Sequence, residues 1–431
     1  MASWLRILRH AATASPRRRA WSAFGVLGLM VAGHAVLETA RDTLFLSELP
    51  PRRLPLLYLA VAAVTVLLSH LRSERLRVGS RKGVLAPSLA GASAVTLGFW
   101  ALVGQGGTGA LYALYLWSAL FVSLVVVQFW LLVDEHFTIT QARRAYGFIA
   151  AGSLVGAATG ALLARAAVAL LEPRALLGLS AALIALAALA ASLILPARAT
   201  AGRGAQEGAV PPPGGEPLRS VLHQPYFRHL GLLLALAAVV GTVVDFLFKS
   251  TVVASLPTRS LGAAFATAAL LQSVLGLAAQ LLLTGWLLRR VGVTRALLVL
   301  PLCLALGTVG LAVGGGLVAA FALKSIDAAL RQSLQRTGVE LLYLPVEDGL
   351  RRRVKPVLDV FGQRLGQALA GAGLLVADAA GATPRALALA VLGLVGVWLG
   401  ITRLIHTGYL DLFRSALRRG RVRLSERMPD L

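Results

Sequence analysis

Apolar runs of twenty or more residues recur along this chain from Trp21 to Ile405. At a helical rise of about 1.5 Å per residue, each is long enough to cross a hydrocarbon core of roughly 30 Å. Charged side chains make up 14% of the sequence, against about 25% in a soluble domain. A polytopic membrane protein is the class that remains, and disorder, a coiled coil, a disulfide scaffold and a soluble enzyme are excluded. The one cysteine, Cys303, lies inside an apolar run, and no two of the seven histidines stand three or four residues apart. Neither an intrachain disulfide nor a helix-borne metal site is expected. The first apolar run follows Arg6, Arg9, Arg17, Arg18 and Arg19 and is too long for a cleaved signal segment.

Twelve helices are expected, near 21–48, 54–71, 83–103, 109–133, 145–166, 175–195, 228–250, 262–288, 293–313, 316–342, 357–379 and 384–405. The two tails and the even-numbered connections carry 29 of the 42 lysines and arginines, against 8 on the odd-numbered side. By the positive-inside rule both termini are cytoplasmic. The net charge of +23 is then an orientation signal that also touches anionic headgroups, and no nucleic-acid partner is needed.

The longest polar stretch, 196–219, is rich in Pro, Gly and charge and reads as a flexible linker dividing the helices six and six. The halves resemble each other at an offset of 203 to 213 residues. RDTLFLS at 41–47 matches VDFLFKS at 244–250, and RVGSRKGVL at 77–85 parallels RVGVTRALL at 290–298. Arg143, Gly152 and Gly156 parallel Arg353, Gly362 and Gly366. Two parallel repeats of six helices resemble the major-facilitator architecture. The expected fold is an all-α polytopic membrane protein, a major-facilitator-like 6+6 bundle of about twelve transmembrane helices. Its organisation is a basic cytoplasmic tail (1–20), a six-helix half (21–195), a cytoplasmic linker (196–227), a second half (228–405) and a basic tail (406–431). The pattern of Tyr409–Arg419 is that of a basic amphipathic helix on the inner leaflet. Two motifs have plain explanations. Gly104–Gly109 matches GxGxxG but has no strand before it, and Gly152, Gly156 and Gly160 form a stripe suited to close helix packing.

Ionisable groups near mid-bilayer cost roughly 2.5–3.5 kcal/mol each on insertion scales, so each requires a partner, a cavity or a function. The first helix carries Glu38, Arg41 and Asp42; the seventh, Asp245 and Lys249; the tenth, Lys324, Asp327 and Arg331. Arg336 and Glu340 form a further i, i+4 pair, and the eleventh helix carries Lys355, Asp359 and Arg364 with Pro356 in its first turn. Helices 1, 7 and 10 line the central cavity of such a bundle. The alternative is that these are structural ion pairs, Arg336–Glu340 and Asp359–Arg364 above all.

The residues further resemble the ATP/ADP translocase family of nucleotide exchangers. Leu37 to Leu44 is similar to the family's R-D-T-K-D-T-L, with Arg41 at its lysine. Leu114-Tyr-Leu-Trp-Ser118, followed by Phe129-Trp130, resembles A-E-L-W-G-S and F-W, and Gln141 to Tyr146 resembles E-A-K-R-F-Y. Val244 to Ser250 resembles V-E-V-T-W-K-S. Tyr343-Leu-Pro345, Lys355 to Asp359, Arg364 and Gly366 resemble the family's pattern around its eleventh helix. The resemblance implies a carrier holding nucleotide phosphates on basic side chains. It places Arg41, Asp245 and Lys355 at positions that matter for transport, and Lys249, Asp359 and Arg364 in the recurrent pattern. Tyr115 stands where the family has a glutamate, Asp245 where it has a longer one, and Gln367 where it has a lysine.

The expected function is secondary transport of a nucleotide or another phosphorylated anion across the bacterial inner membrane, without enzymatic chemistry, cofactor or metal. Arg41, Asp245, Lys249, Lys324, Arg331 and Lys355 are the substrate-binding candidates; Asp42, Tyr115, Asp327, Asp359 and Arg364 are the coupling or gating ones. The alternatives are proton-coupled transport of an unrelated organic ion, with a carboxylate carrying the coupling proton, and a membrane scaffold or sensor.

Overall fold

The computed structural model describes residues 16–76, 84–137, 139–194 and 224–418. The basic tails up to residue 15 and from 419, most of the 196–227 linker and the motif at 77–83 lie outside the described residues. The same holds for the side chains of Arg143 and Arg144.

Twelve helical rods run through the described residues: α1 (Pro16–Glu48), α2 (Leu54–Leu76), α3 (Leu85–Val103), α4 (Thr108–His136), α5 (Ile139–Leu170) and α6 (Ala175–Ile194), then α7 (Pro225–Ser255). In α8, Leu261–Ala278 continues through a π-helical stretch, Ala279–Thr284, into Gly285–Val291. The α9 rod comprises Val293–Ala296 and Val299–Ala312, and α10 comprises Gly316–Leu330, a π-helical Arg331–Gln335 and Arg336–Leu342. The last two are α11 (Asp348–Ala379) and α12 (Pro384–Arg418). Ten of the twelve are long and apolar enough to cross a membrane. The two that fall short, α10 and α11, carry the charges that interrupt their apolar windows.

Several ends overrun the expected spans. The start of α11 is Asp348 rather than 357, and α12 runs on to Arg418 rather than 405. Arg, Leu and Ala are good helix formers, so a helix need not stop where the hydrocarbon stops. Two expectations are corrected as a result. Pro356 sits inside α11, not in its first turn, so one backbone donor is missing from the helix interior. The Tyr409 segment is a continuation of α12, not a separate surface helix.

Contacts divide the chain into two units. The first holds α1, the end of α2 from Leu67, α3 to α6 and α8 up to Val274; the second holds α2 up to Val66, α7, the rest of α8 and α9 to α12. Inside the first, α1 packs on α4, α5 and α6, and α3 packs on α4 and α6. The second repeats every one of these pairings six helices later: α7 with α10, α11 and α12, and α9 with α10 and α12. The sequence repeat is thus a repeat of packing.

The glycine stripe explains the tightest of these pairings. A Cβ at Gly152 would lie 2.6 Å from the Phe24 carbonyl oxygen, and one at Gly160 would lie 2.5 Å from that of Ala32. Gly156 meets the Gly28 backbone in the same way, so α1 and α5 touch backbone to backbone. In the second unit Gly362 and Gly366 press on Leu234 and Ala235 of α7. Around the first seam, Met30, Phe121, Phe129 and Ile149 fill the core. Two half-helices complete the units by related contacts. Gly262 at the start of α8 faces Thr43 and Val168, and Gly371 of α11 faces Pro55 and Leu59 of α2.

Candidate functional site

The first cluster grows from one turn of α1. Thr39 and Thr43 return their hydroxyls to the carbonyls of Ala35 and Thr39, at 3.0 and 2.7 Å, which settles two polar groups inside the helix. Arg41, 8% exposed, donates from Nε to Asp42 Oδ1 at 2.9 Å and from an Nη to Ser118 Oγ of α4 at 3.2 Å. Its guanidinium lies 4.3 Å from the centre of the Tyr115 ring. Glu38 Oε1 is 3.7 Å from Arg41 and 3.6 Å from His34 Nε2. Arg41, Asp42 and Tyr115 therefore belong to one site. Ser118 was not singled out by sequence, although its spacing of three from Tyr115 puts it on the same face of α4.

The second cluster is centred on Asp245 of α7. Lys249 Nζ, one turn on, is 2.9 Å from Oδ2, and Lys324 Nζ of α10 is 2.8 Å from Oδ1. The Tyr58 hydroxyl of α2 donates to Oδ2 at 2.9 Å. One carboxylate thus takes two ammonium groups and a phenol, and Lys249 is only 4% exposed. Tyr58 carries no charge and has no repeat-related partner, so nothing in the sequence pointed to it.

The other candidates separate from these two centres. Asp327 pairs with Arg331 one turn further along α10, and Arg331 also donates to the Ala237 carbonyl at 2.8 Å. Its guanidinium occupies the space where a side chain at position 241 would sit, which glycine leaves open. Lys355 bonds both oxygens of Glu340, at 2.7 and 2.8 Å, so Glu340 is paired across to α11 rather than with Arg336 as expected. Asp359 accepts the Tyr343 hydroxyl at 3.1 Å, and Arg364 donates to Gln367 Oε1 at 3.0 Å. The expected Asp359–Arg364 pair is replaced by these two bonds, because residues five apart do not share a face of a helix. Burial first, and the Asp359 carboxylate second, push the Tyr343 hydroxyl above its ordinary range, so it remains a proton donor.

What the arrangement can do follows from its charges. Lys249 and Lys324 share one acid, Arg41 lies over an aromatic ring, and no group of three His, Cys, Asp or Glu able to hold a metal occurs among the described residues. Each unit thus holds its own charged cluster on helices long and apolar enough to cross a bilayer, apart from α10. The model of the Major Facilitator Superfamily matches residues 54–329, more than half of the chain. The chain belongs to the Major Facilitator Superfamily. As a superfamily member it is a multi-pass membrane protein of the secondary-transporter type.

Solved structures agree on the fold. A transporter of the POT family in complex with a thioalcohol-conjugated peptide is similar with a TM-score of 0.63 at 12% identity, over 90% of this chain and 96% of that one. A mutant of the nucleoside transporter NupG gives 0.61 at 12% identity over 91% and 99%. A bacterial homologue of the iron transporter ferroportin, in an inward-facing state, gives 0.60 at 16% over 93% and 100%. At these identities the likeness establishes the superfamily fold alone. No curated protein matches the chain.

Proposed function

We propose that this superfamily member carries a nucleotide or another phosphorylated anion across the bacterial inner membrane by alternating access. One observation carries the reading: Asp245 gathers Lys249 and Lys324 at 2.9 and 2.8 Å, so two ammonium groups from two helices converge on one point inside the protein. Basic side chains held inside a membrane protein mark substrate or ion pathways, and a pair converging in this way suits an anion. Phosphate suits ammonium and guanidinium donors together, since both make short charge-assisted hydrogen bonds to its oxygens. The pattern shared with the ATP/ADP translocases supports the nucleotide form, and Tyr115 in place of the family's glutamate is the departure that sets it against another phosphorylated anion. Both termini sit in the cytoplasm on this reading, as the distribution of basic residues supports.

Thermal stabilisation of the purified protein against ATP, ADP, other nucleotides, inorganic phosphate and sugar phosphates tests it. A ligand at 100 times its dissociation constant adds about 2.7 kcal/mol, and the melting point should rise accordingly. The shift should vanish in Lys249→Ala and Arg41→Ala. No shift with any phosphate compound in a folded sample, joined to uptake of another organic ion driven by a pH gradient, overturns the reading in favour of proton-coupled transport.

A further inference from the structure

Tyr58 connects the Asp245 cluster to the first half of α2. Its hydroxyl is bonded to the carboxylate that organises Lys249 and Lys324. Its backbone belongs to the first half of α2, which packs in the second unit, whereas from Leu67 onward the same helix belongs to the first unit. The seat of that half-helix is close: Gly371 of α11 leaves space for the Pro55 carbonyl and for Leu59, one residue from Tyr58. Tyr58 itself is 4% exposed, so its hydroxyl has Asp245 rather than bulk water to satisfy it.

We propose that Tyr58 is a positioning residue that couples the charge state of the Asp245 cluster to the seating of the first half of α2 on α11. The physical basis is the difference between a charged acceptor and a balanced one. A carboxylate shared between two ammonium groups gives little extra to a phenol. The same carboxylate with one ammonium drawn away is a stronger acceptor, and its bond to Tyr58 tightens. An anion that recruits Lys324 therefore clamps α2 more firmly. By reciprocity, an α2 that is firmly seated favours the anion. The inference rests on the proposed anion site for its biological meaning, while the coupling itself requires only Asp245, Lys249, Lys324 and Tyr58.

Hydrogen–deuterium exchange of the full-length protein in detergent tests it without an identified ligand. Lys324→Met removes one ammonium and should slow exchange in residues 51–66 by about three- to ten-fold, the step between a neutral and a charged hydrogen-bond partner. Residues 67–76 of the same helix serve as the internal reference. In the double variant with Tyr58→Phe the slowing should disappear. Equal slowing with and without the Tyr58 hydroxyl, or none in Lys324→Met, overturns the proposal. Adding ATP to the unsubstituted protein provides the second arm. Protection of 51–66 that is lost in Tyr58→Phe supports both coupling and substrate class. If ATP has no effect while the Lys324→Met result holds, the nucleotide reading fails and the coupling stands.

Discussion

Asp42 and Asp245 occupy the same place in the two repeats, 203 residues apart, and are neutralised in opposite styles. Asp42 has the guanidinium of the preceding residue, which α4 steadies with the Tyr115 ring and the Ser118 hydroxyl. Asp245 has Lys249 from its own helix and Lys324 from α10. Tyr115 and Lys324 are 209 residues apart, as are Ser118 and Asp327. Where α4 supplies an aromatic face and a hydroxyl, α10 supplies a base and an acid. The backbone pairings are the same in both units, so the difference lies in side chains alone. With Glu38 counted, the first cluster sets one base against two carboxylates, and the second sets two bases on one. A repeated scaffold thus carries two differently composed charge clusters, one built round a guanidinium and the other round a carboxylate.

The comparison breaks most sharply at the carboxylates. Asp245→Leu leaves the buried Lys249 and the half-buried Lys324 without this acid and should cost about 3–5 kcal/mol. Asp42→Leu leaves Arg41 with Glu38, Ser118 and the Tyr115 face, and should cost less than half as much. Thermal unfolding of the two variants in the same detergent measures both, and equal losses would dissolve the distinction. Next in size is the cation–π contact, worth about 0.5–2 kcal/mol: Tyr115→Leu removes it while filling most of the buried space, and Tyr115→Phe keeps the ring and most of the stability. Arg41→Lys keeps the charge and loses the planar fork that meets Asp42 and Ser118 together. It should fall about 1 kcal/mol short of the parent protein, and Ser118→Ala should account for about half of that. Smallest is Lys355→Ala, where a half-exposed pair with Glu340 is broken. About 0–1 kcal/mol is expected, with phosphate-induced stabilisation unchanged.

The fold was legible because its signals are redundant. Twelve apolar runs, a basic bias and an internal offset each point to the same bundle, and the glycines at 152, 156, 362 and 366 mark the two seams. Arg41, Asp245 and Lys249 were legible because charge inside an apolar run is costly enough to need a reason. The pairings were less so. Glu340 chose Lys355 over Arg336, and Asp359 chose Tyr343 over Arg364, since spacing along one helix says nothing of what the next helix presents. Tyr58 was invisible for a related reason: a tyrosine in an apolar helix costs nothing until its hydroxyl needs an acceptor.

The contact between α1 and α5 is made by backbone atoms at Gly152, Gly156 and Gly160, and backbone has no rotamers to change. Two spin labels, one on each of these helices, would then report a fixed length through every step of the transport cycle. Such a pair is a built-in ruler, against which any change of distance to α2 can be read as movement of α2 itself.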